Sequence, residues 1–498
     1  IRNIVVSGNY SQGASSVLEI GVNGTAQKSD QVQVTGTASL ADGATFRPKS
    51  TGYIKDGATY TVVSSSSLTT DINELKLDQS SPLLSWTLGK DGNDLVLTAS
   101  QKSISDVAGP TVGGTVLQSL ASSANGDMAS VVGLLQGLSS KDELRSAIDE
   151  IAPAPSAGTF QATTATLGAV SNTIEGRMSS LRVGQGAQAG AVATLAFNDA
   201  VSYRATLSDA QPSLGIMNSG APSNSGVWMQ GFGTNGQQDA RGGSAGSRSH
   251  GAGFAVGGDM MVGEQTVAGV AATFSRSFVR GRGAQSSDRS DISSYQLSAY
   301  GSHSFETVFV EGIVGVARND YDSSRELSAL SRTANADYSG WQGFGKIVLG
   351  KSFQFDAGTL TPVASLQYAH TNIEGYTETG AGAVSRSVAS QSYDTLTPGI
   401  GARFALPFQE LETGRLSLQF SEMFSYDAVS DRQHVKSSLV GGGAAFETDG
   451  IKPDRFSSST GVGVGYHTGN VTVDAGYELE LRQSYTGHAA VIRLRYDM

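Results

Sequence analysis

Val471-Thr472-Val473-Asp474-Ala475-Gly476-Tyr477-Glu478-Leu479-Glu480-Leu481-Arg482 alternates its side chains with a period of two. Val471, Val473, Ala475, Tyr477, Leu479 and Leu481 share one face, and Thr472, Asp474, Gly476, Glu478, Glu480 and Arg482 share the other. That period marks a strand with two unlike faces. The next run repeats it, with Ala490, Ile492, Leu494, Tyr496 and Met498 set against Arg493, Arg495 and Asp497. Further back, Leu360, Ala364, Leu366 and Tyr368 oppose Thr361, Ser365 and Gln367. Leu416, Leu418, Phe420, Phe424 and Tyr426 form another apolar face, interrupted by Glu422. Twelve such runs lie between Val227 and Met498, among them Thr307–Asn319 and Tyr393–Leu406. They exceed the roughly 5–6 residues of an average soluble strand. Their length suits the roughly 9–11 residues of a tilted strand crossing a bilayer.

The connections give the runs a direction. Links at Gly263-Glu264, Phe305-Glu306, Phe355-Asp356, Glu410-Leu411 and Gly469-Asn470 are short. The first link, Gln237 to Ser249, is long, Asp427 to Arg455 is the longest, and only the eleventh link breaks the alternation. Short turns on one side and long loops on the other are how outer-membrane barrels are built, with the short turns in the periplasm. An even strand number then puts both barrel termini on the periplasmic side. The fold expected is mainly β: a 12-stranded antiparallel transmembrane β-barrel over residues 226–498.

Composition agrees with this. The 498 residues include 63 Gly and no Cys, and only 16% are charged. That profile fits extended β architecture better than a compact helical enzyme. A net charge of −11 gives no basic footprint, so nucleic acid is not an expected partner. No stretch reaches the roughly 18 apolar residues that a membrane helix needs. The sequence opens at Ile1 without a basic-then-apolar leader, as a mature or truncated product would.

Residues 1–100 carry short alternating runs, such as Val17-Leu18-Glu19-Ile20, Gln31-Val32-Gln33-Val34 and Thr59-Tyr60-Thr61-Val62. Their loose spacing is the rhythm of stacked β-solenoid rungs, and a small β-sandwich is the alternative. Trp86-Thr87-Leu88 and Leu95-Val96-Leu97 flank Gly89-Lys-Asp-Gly-Asn-Asp94, a hairpin able to close such a stack. Residues 101–225 read as a helical linker. Ser140 and Glu143 have capping-box spacing, Leu144, Ala147, Ile148 and Ile151 follow on one face, and Pro153 and Pro155 stop the helix. A second helix over about 160–183 carries Phe160, Thr164, Leu167, Ile174, Met178 and Leu181 near one stripe, flanked by small residues. It is slim enough to lie inside a narrow lumen, and equally fits an ordinary packing helix. Gly184 to Ser225 reads as a flexible connection.

In order along the chain, these features resemble the C-terminal part of classical monomeric autotransporters, the type Va secretion proteins. Val17-Leu-Glu-Ile-Gly-Val22 and Ser29-Asp-Gln-Val-Gln-Val-Thr-Gly-Thr-Ala-Ser-Leu40 look like the end of the passenger β-helix, often called the autochaperone. Trp228-Met-Gln-Gly-Phe-Gly233 resembles the opening strand of the family's barrel. Gly257-Gly-Asp259, Thr361-Pro-Val-Ala-Ser-Leu-Gln-Tyr-Ala-His370 and Gly375-Tyr-Thr-Glu-Thr-Gly380 look like its internal landmarks.

The resemblance implies a monomeric translocator in the bacterial outer membrane, carrying its own N-terminal passenger to the cell surface. It implies outer-membrane lipid, the barrel-assembly machinery and periplasmic chaperones as partners. Ile174, Arg177, Met178, Leu181 and Arg182 would belong to the lumen helix. Leu494, Tyr496 and Met498 would form the assembly signal, with Met498 where the family usually ends on Phe. Asn172 matches the position at which some relatives cleave themselves by Asn cyclisation, with Thr173 in place of the usual second Asn.

Nothing else in the sequence carries chemistry. The six His are scattered without metal-ligand spacing, so neither metal nor cofactor is expected. Gly461-Val-Gly-Val-Gly465 lies inside a strand and leads into no helix, which argues against a nucleotide loop. No catalytic triad is legible, and an enzyme is not expected. Two rival classes stand beside the translocator: a surface adhesin acting through residues 1–100, and a plain porin-like channel with the helical segment in the periplasm.

Overall fold

The computed structural model describes residues 1–184 and 225–498, except positions 80, 110, 111, 122, 123, 153–156, 243, 264, 306, 307, 430, 431 and 498. Most of the connection expected over Gly184–Ser225, and both helix-stopping prolines, thus lie outside the described residues.

The N-terminal part is a stack of parallel strands. Asn3–Val6 runs parallel to Gln31–Leu40, which runs parallel to Thr59–Thr69. Val17–Asn23, Thr45–Thr51 and Lys76–Leu77 form a second parallel ladder. Successive passes alternate between the two sheets, and Ile20, Val32, Phe46, Tyr60 and Val62 fill the space between them. This is solenoid geometry, and the sandwich alternative is set aside. The last rung accepts an antiparallel hairpin, Leu84–Asp91 with Asp94–Gln101. Its two-residue loop requires a positive φ, which Gly92 supplies at 59°. Trp86 packs edge-on to Tyr60 and closes the apolar column.

Four helices follow: α1 (Ile104–Ala108), α2 (Val112–Ala121), α3 (Gly126–Gln136) and α4 (Lys141–Ile151). The capping box at α4 forms: the Ser140 hydroxyl accepts from Glu143 N at 3.1 Å, and the Glu143 carboxylate accepts from Ser140 N at 3.2 Å. Leu144, Ala147, Ile148 and Ile151 are buried, as their spacing predicts. What covers them was not legible in the sequence. They share one core with Leu327, Leu330, Ala334, Ala383, Val384, Leu439 and Phe446, all from the barrel's outer end.

The barrel strands are Ser225–Gln238, Ser247–Val262, Thr266–Gly281, Arg289–Ser304, Phe309–Leu327, Arg332–Gly350, Gly358–Ile373, Gln391–Leu411, Gly414–Tyr426, Phe456–Thr468, Val471–Leu481 and Tyr485–Asp497. Each pairs antiparallel with the next, and the first pairs with the last from Gly226↔Asp497 to Gln238↔Tyr485. The ring is closed, so no edge is left within the membrane zone. Alternation sorts the faces as expected: Val227 and Met229 are exposed while Trp228 and Gln230 are buried in the lumen. In the ninth strand Glu422 interrupts the outer face, where its carboxylate accepts from the Thr460 hydroxyl.

Several strands outrun the bilayer at the long-loop end. The run expected over Thr307–Asn319 continues to Leu327, and the long polar loop expected over Asp427–Arg455 contains strands of its own. Tyr376–Thr377, Arg386–Val388, His434–Leu439 and Phe446–Asp449 form a four-stranded sheet above the mouth. Helices α1–α4 rest on this extension.

Inside the barrel lies α5 (Ala157–Gly184), about 42 Å long at 1.5 Å per residue. Its N-terminal end is at the outer mouth, where Phe160 packs edge-on to Tyr393. Lower down, Leu167, Val170, Ile174 and Met178 pack against Trp228, Phe232, Tyr300, Ile313 and Phe344. Its threonines are kept quiet by the helix itself: the hydroxyls of Thr163, Thr164 and Thr166 donate to the carbonyls of Thr159, Phe160 and Ala162.

Candidate functional site

The site is the lumen and the helix it holds. A polar inner wall faces α5, including buried Gln296, Asn319, Gln342, Lys346, Arg403, Gln419, Asp474, Arg493 and Arg495. Glu175 is the only carboxylate in the sequence of α5 and is fully buried. It ion-pairs with Lys346 of the sixth strand and lies 3.8 Å from Arg403 of the eighth. A buried carboxylate is expensive to desolvate, and here two wall cations compensate it. Sequence reasoning passed over Glu175; the signal available was that it is the one carboxylate in the helical run.

On the opposite wall, two family-like landmarks that lie far apart in sequence meet. The Trp228 indole N–H donates to the Tyr300 hydroxyl at 2.9 Å, and Tyr300 donates to Asp259 at 2.8 Å. A side chain at Gly257 would fall inside the Trp228 ring, so glycine there lets the indole lie flat on the second strand. Gly257→Val should displace Trp228 and cost about 1–3 kcal/mol by overpacking. A lowered temperature for loss of heat-modifiable migration in detergent would register this.

The closing seam is also charged. Arg493 donates to the Gln230 side chain at 3.0 Å and lies 3.8 Å from Asp474, tying strands eleven, twelve and one. Leu494 and Tyr496 point outward, paired in register with Met229 and Val227. Met498 lies outside the described residues. Among the other expected residues, Ile174 and Met178 are fully buried in the lumen. The α5 backbone runs through Asn172, Thr173, Arg177, Leu181 and Arg182, whose side chains lie outside the described residues. The helix contacts mainly strands one to five. Beside it a cavity of about 170 Å3 remains, bordered by Thr164, Gly168, Lys346, Glu478 and Arg482.

A second charged assembly, also unforeseen, joins the linker to the barrel's outer end. Asp127 of α3 accepts from both terminal nitrogens of Arg332, at 2.6 and 2.8 Å, and from Ala383 N at 2.6 Å. These hydrogen bonds hold its carboxyl below the usual range. Glu378 lies between Arg325 and Arg386, at 2.6 and 2.7 Å. Burial opposes its ionisation, yet the two guanidinium groups prevail and hold its pKa at about 2. Arg325 also donates to the Glu150 carbonyl at the end of α4. Asp288, nearby, is pushed up to about 6 by burial.

Among the described residues, the scattered histidines yield one grouping that spacing did not predict. His434, Glu447 and Asp449 have ligand atoms within 4.8 Å of one another on an exposed two-strand ladder. His434 and Arg432 already bind Asp449, at 2.7 and 3.3 Å, so the carboxylate is engaged.

The family described as autotransporter beta-domain matches residues 227–478. Outer membrane protein B of Rickettsia japonica is 23% identical over 290 residues, covering 55% of this chain and 17% of that protein. Outer membrane protein B of Rickettsia typhi is 23% identical over 287 residues, with the same coverage. The chain thus spans about a sixth of the length of these curated relatives. Among solved structures, the translocator domain of autotransporter NalP from Neisseria meningitidis gives a TM-score of 0.46 at 18% identity, covering 57% of this chain and 91% of that one. The beta domain of the Bordetella autotransporter BrkA gives 0.41 at 12% identity, covering 55% and 100%. A closed 12-stranded barrel holding a helix, matched by the β-domain family over half of the chain, belongs to the autotransporter β-domain family, the outer-membrane translocator units of type V secretion.

Proposed function

We propose that this translocator carries residues 1–100, and whatever precedes them, from the periplasm to the cell surface through its own lumen. The observation that carries this reading is the direction of α5. Its N-terminal end lies at the long-loop mouth and its C-terminal end leads toward the first strand at the short-turn end. The chain therefore passes through the pore once, leaving the solenoid and α1–α4 outside. In this reading residues 1–100 are the end of the passenger, 101–225 the linker with the lumen helix, and 226–498 the translocator. A 12-stranded lumen filled by one helix is too narrow for a folded solenoid, so passage occurs unfolded or as a hairpin. Solenoid rungs that fold outside, together with the core under α4, then oppose return. Insertion is assigned to the barrel-assembly machinery after escort by periplasmic chaperones, with Leu494 and Tyr496 in the signal strand.

Proteinase added to intact cells should digest residues 1–100 and spare the barrel. Protection of residues 1–100 until the outer membrane is permeabilised would instead favour a channel with a periplasmic N-terminal part. The Asn172–Thr173 bond is a candidate for self-cleavage within the lumen. Intact-mass measurement of the purified membrane form reads this directly, since cleavage splits the chain at a defined residue and an intact junction removes the candidate.

A further inference from the structure

The outer face of strands two to six carries ordered rows of residues at the long-loop end. Phe254, Phe274, Tyr295, Arg318 and Trp341 stand side by side in register. The rings of Phe254 and Phe274 lie 5.9 Å apart and those of Phe274 and Tyr295 5.2 Å apart, while the Arg318 guanidinium covers Trp341 at 5.7 Å. Such an aromatic row marks the edge of the hydrocarbon layer. Six residues further toward the outside, a different row appears. Arg248 is the register partner of Arg280, and Arg280 of Arg289. All three are exposed, and this face is the one that meets lipid.

Three like charges placed directly across adjacent strands repel one another. Arg248 donates to the Gln237 side chain at 3.2 Å, and among the described residues no carboxylate pairs with Arg280 or Arg289. Beneath this row Arg276 is neutralised by Asp291 at 3.1 Å and covers the Phe278 ring. A cavity of about 360 Å3 opens between Phe278, Arg280, Arg289, Asp291 and Asp322. Asp322 brings the opposite sign to one wall, so the basic half of the patch spans strands two to four.

We propose that the Arg248–Arg280–Arg289 ladder binds the phosphorylated headgroup of an outer-leaflet lipid. Its height suits this partner. At a strand tilt of about 40°, six residues raise it roughly 15 Å above the aromatic row, and arginine stems reach back toward the membrane. Guanidinium groups present forked donors that match phosphate oxygens, and a bound phosphate removes the repulsion within the row. An acyl chain below would continue along exposed Val256, Val270 and Leu297 on the same face.

The test uses the full chain folded in zwitterionic detergent. The probe is lipid A, the bisphosphorylated glycolipid, followed by native mass spectrometry and by the shift in unfolding temperature. Expected are saturable binding, salt sensitivity, and about fivefold weaker affinity for each Arg→Gln change at 248, 280 and 289. Arg→Lys changes should retain part of the affinity. Should the triple variant fail to fold, the wild-type comparison of lipid A with its dephosphorylated form decides alone. Equal binding of the two forms, or unchanged affinity in a folded triple Gln variant, would overturn the proposal. Displacement of lipid A by equimolar inorganic phosphate would also overturn it, because the ladder would then read a free anion.

Discussion

Glu175→Ala will loosen the lumen helix and sharply destabilise the folded barrel. The substitution removes a carboxylate that is fully buried and takes its counter-charge away from Lys346 and Arg403, which lie on one wall either side of the seventh strand. Breaking a buried pair from one side costs about 3–5 kcal/mol, because the remaining charge stays desolvated. Here two cations remain. Lys346→Met combined with Glu175→Leu should recover part of the loss, since it removes both members of the closer ion pair and leaves only Arg403 without that carboxylate. Thermal unfolding of the heat-modifiable form measures both variants. Single-channel recording adds a readout specific to the helix: the Glu175→Ala barrel should show long-lived open states where the parent is largely closed. Equal melting and equal current in the two proteins would show that Glu175 is a bystander.

The second large effect is the pH response of the clasp between α1–α4 and the barrel's outer end. Glu378 has a folded-state pKa of about 2, against an ordinary 4.5, with Arg386 and Arg325 overcoming the burial that opposes its charge. A lowered carboxyl contributes stability that is present above about pH 4.5 and lost as the pH falls toward 2. Asp288 acts in the opposite sense. Burial raises it from 3.8 to about 6, so the folded state takes up a proton first, and stability rises as the pH falls through 6 toward 4. The helical circular-dichroism signal should therefore melt at a higher temperature at pH 5 than at pH 7.5, then fall away below pH 4. Asp288→Asn should remove the rise and leave the acid loss. Glu378→Gln should remove most of the acid loss and lower stability at neutral pH, because Arg325 and Arg386 would then lose the carboxylate that both of them bind.

The barrel was legible because lipid on one side and a polar lumen on the other impose a strict period of two. Asp474 and Glu478 turn inward, while Val473 and Tyr477 turn outward, as their parity requires. The solenoid was legible through its closing turn at Gly92-Asn93 and through the short apolar runs that stack on it. The sheet above the mouth was not. Its strands have two to six residues, too few to show a period, and they lie in loops whose polarity reads as solvent contact. The charged pairs were hidden for another reason. Glu175 and Lys346, or Asp127 and Arg332, are separated by part of the linker and the first five barrel strands, and only the folded barrel brings them together. Glu422, whose interruption of the apolar face was legible, does sit on the lipid-side face, with a hydroxyl partner on the next strand that the sequence did not show.

The claim at the centre is that the chain occupies its own pore. The absence of native cysteine allows a direct test by an introduced pair. Gln161 on α5 and Gln238 at the outer end of the first strand are hydrogen-bonded side chain to side chain. Gln161→Cys combined with Gln238→Cys should be joined by a short bifunctional thiol crosslinker in the outer membrane of intact cells, with residues 1–100 exposed to added protease. A pair that the crosslinker does not join, in a barrel that conducts as an open channel, would contradict the account.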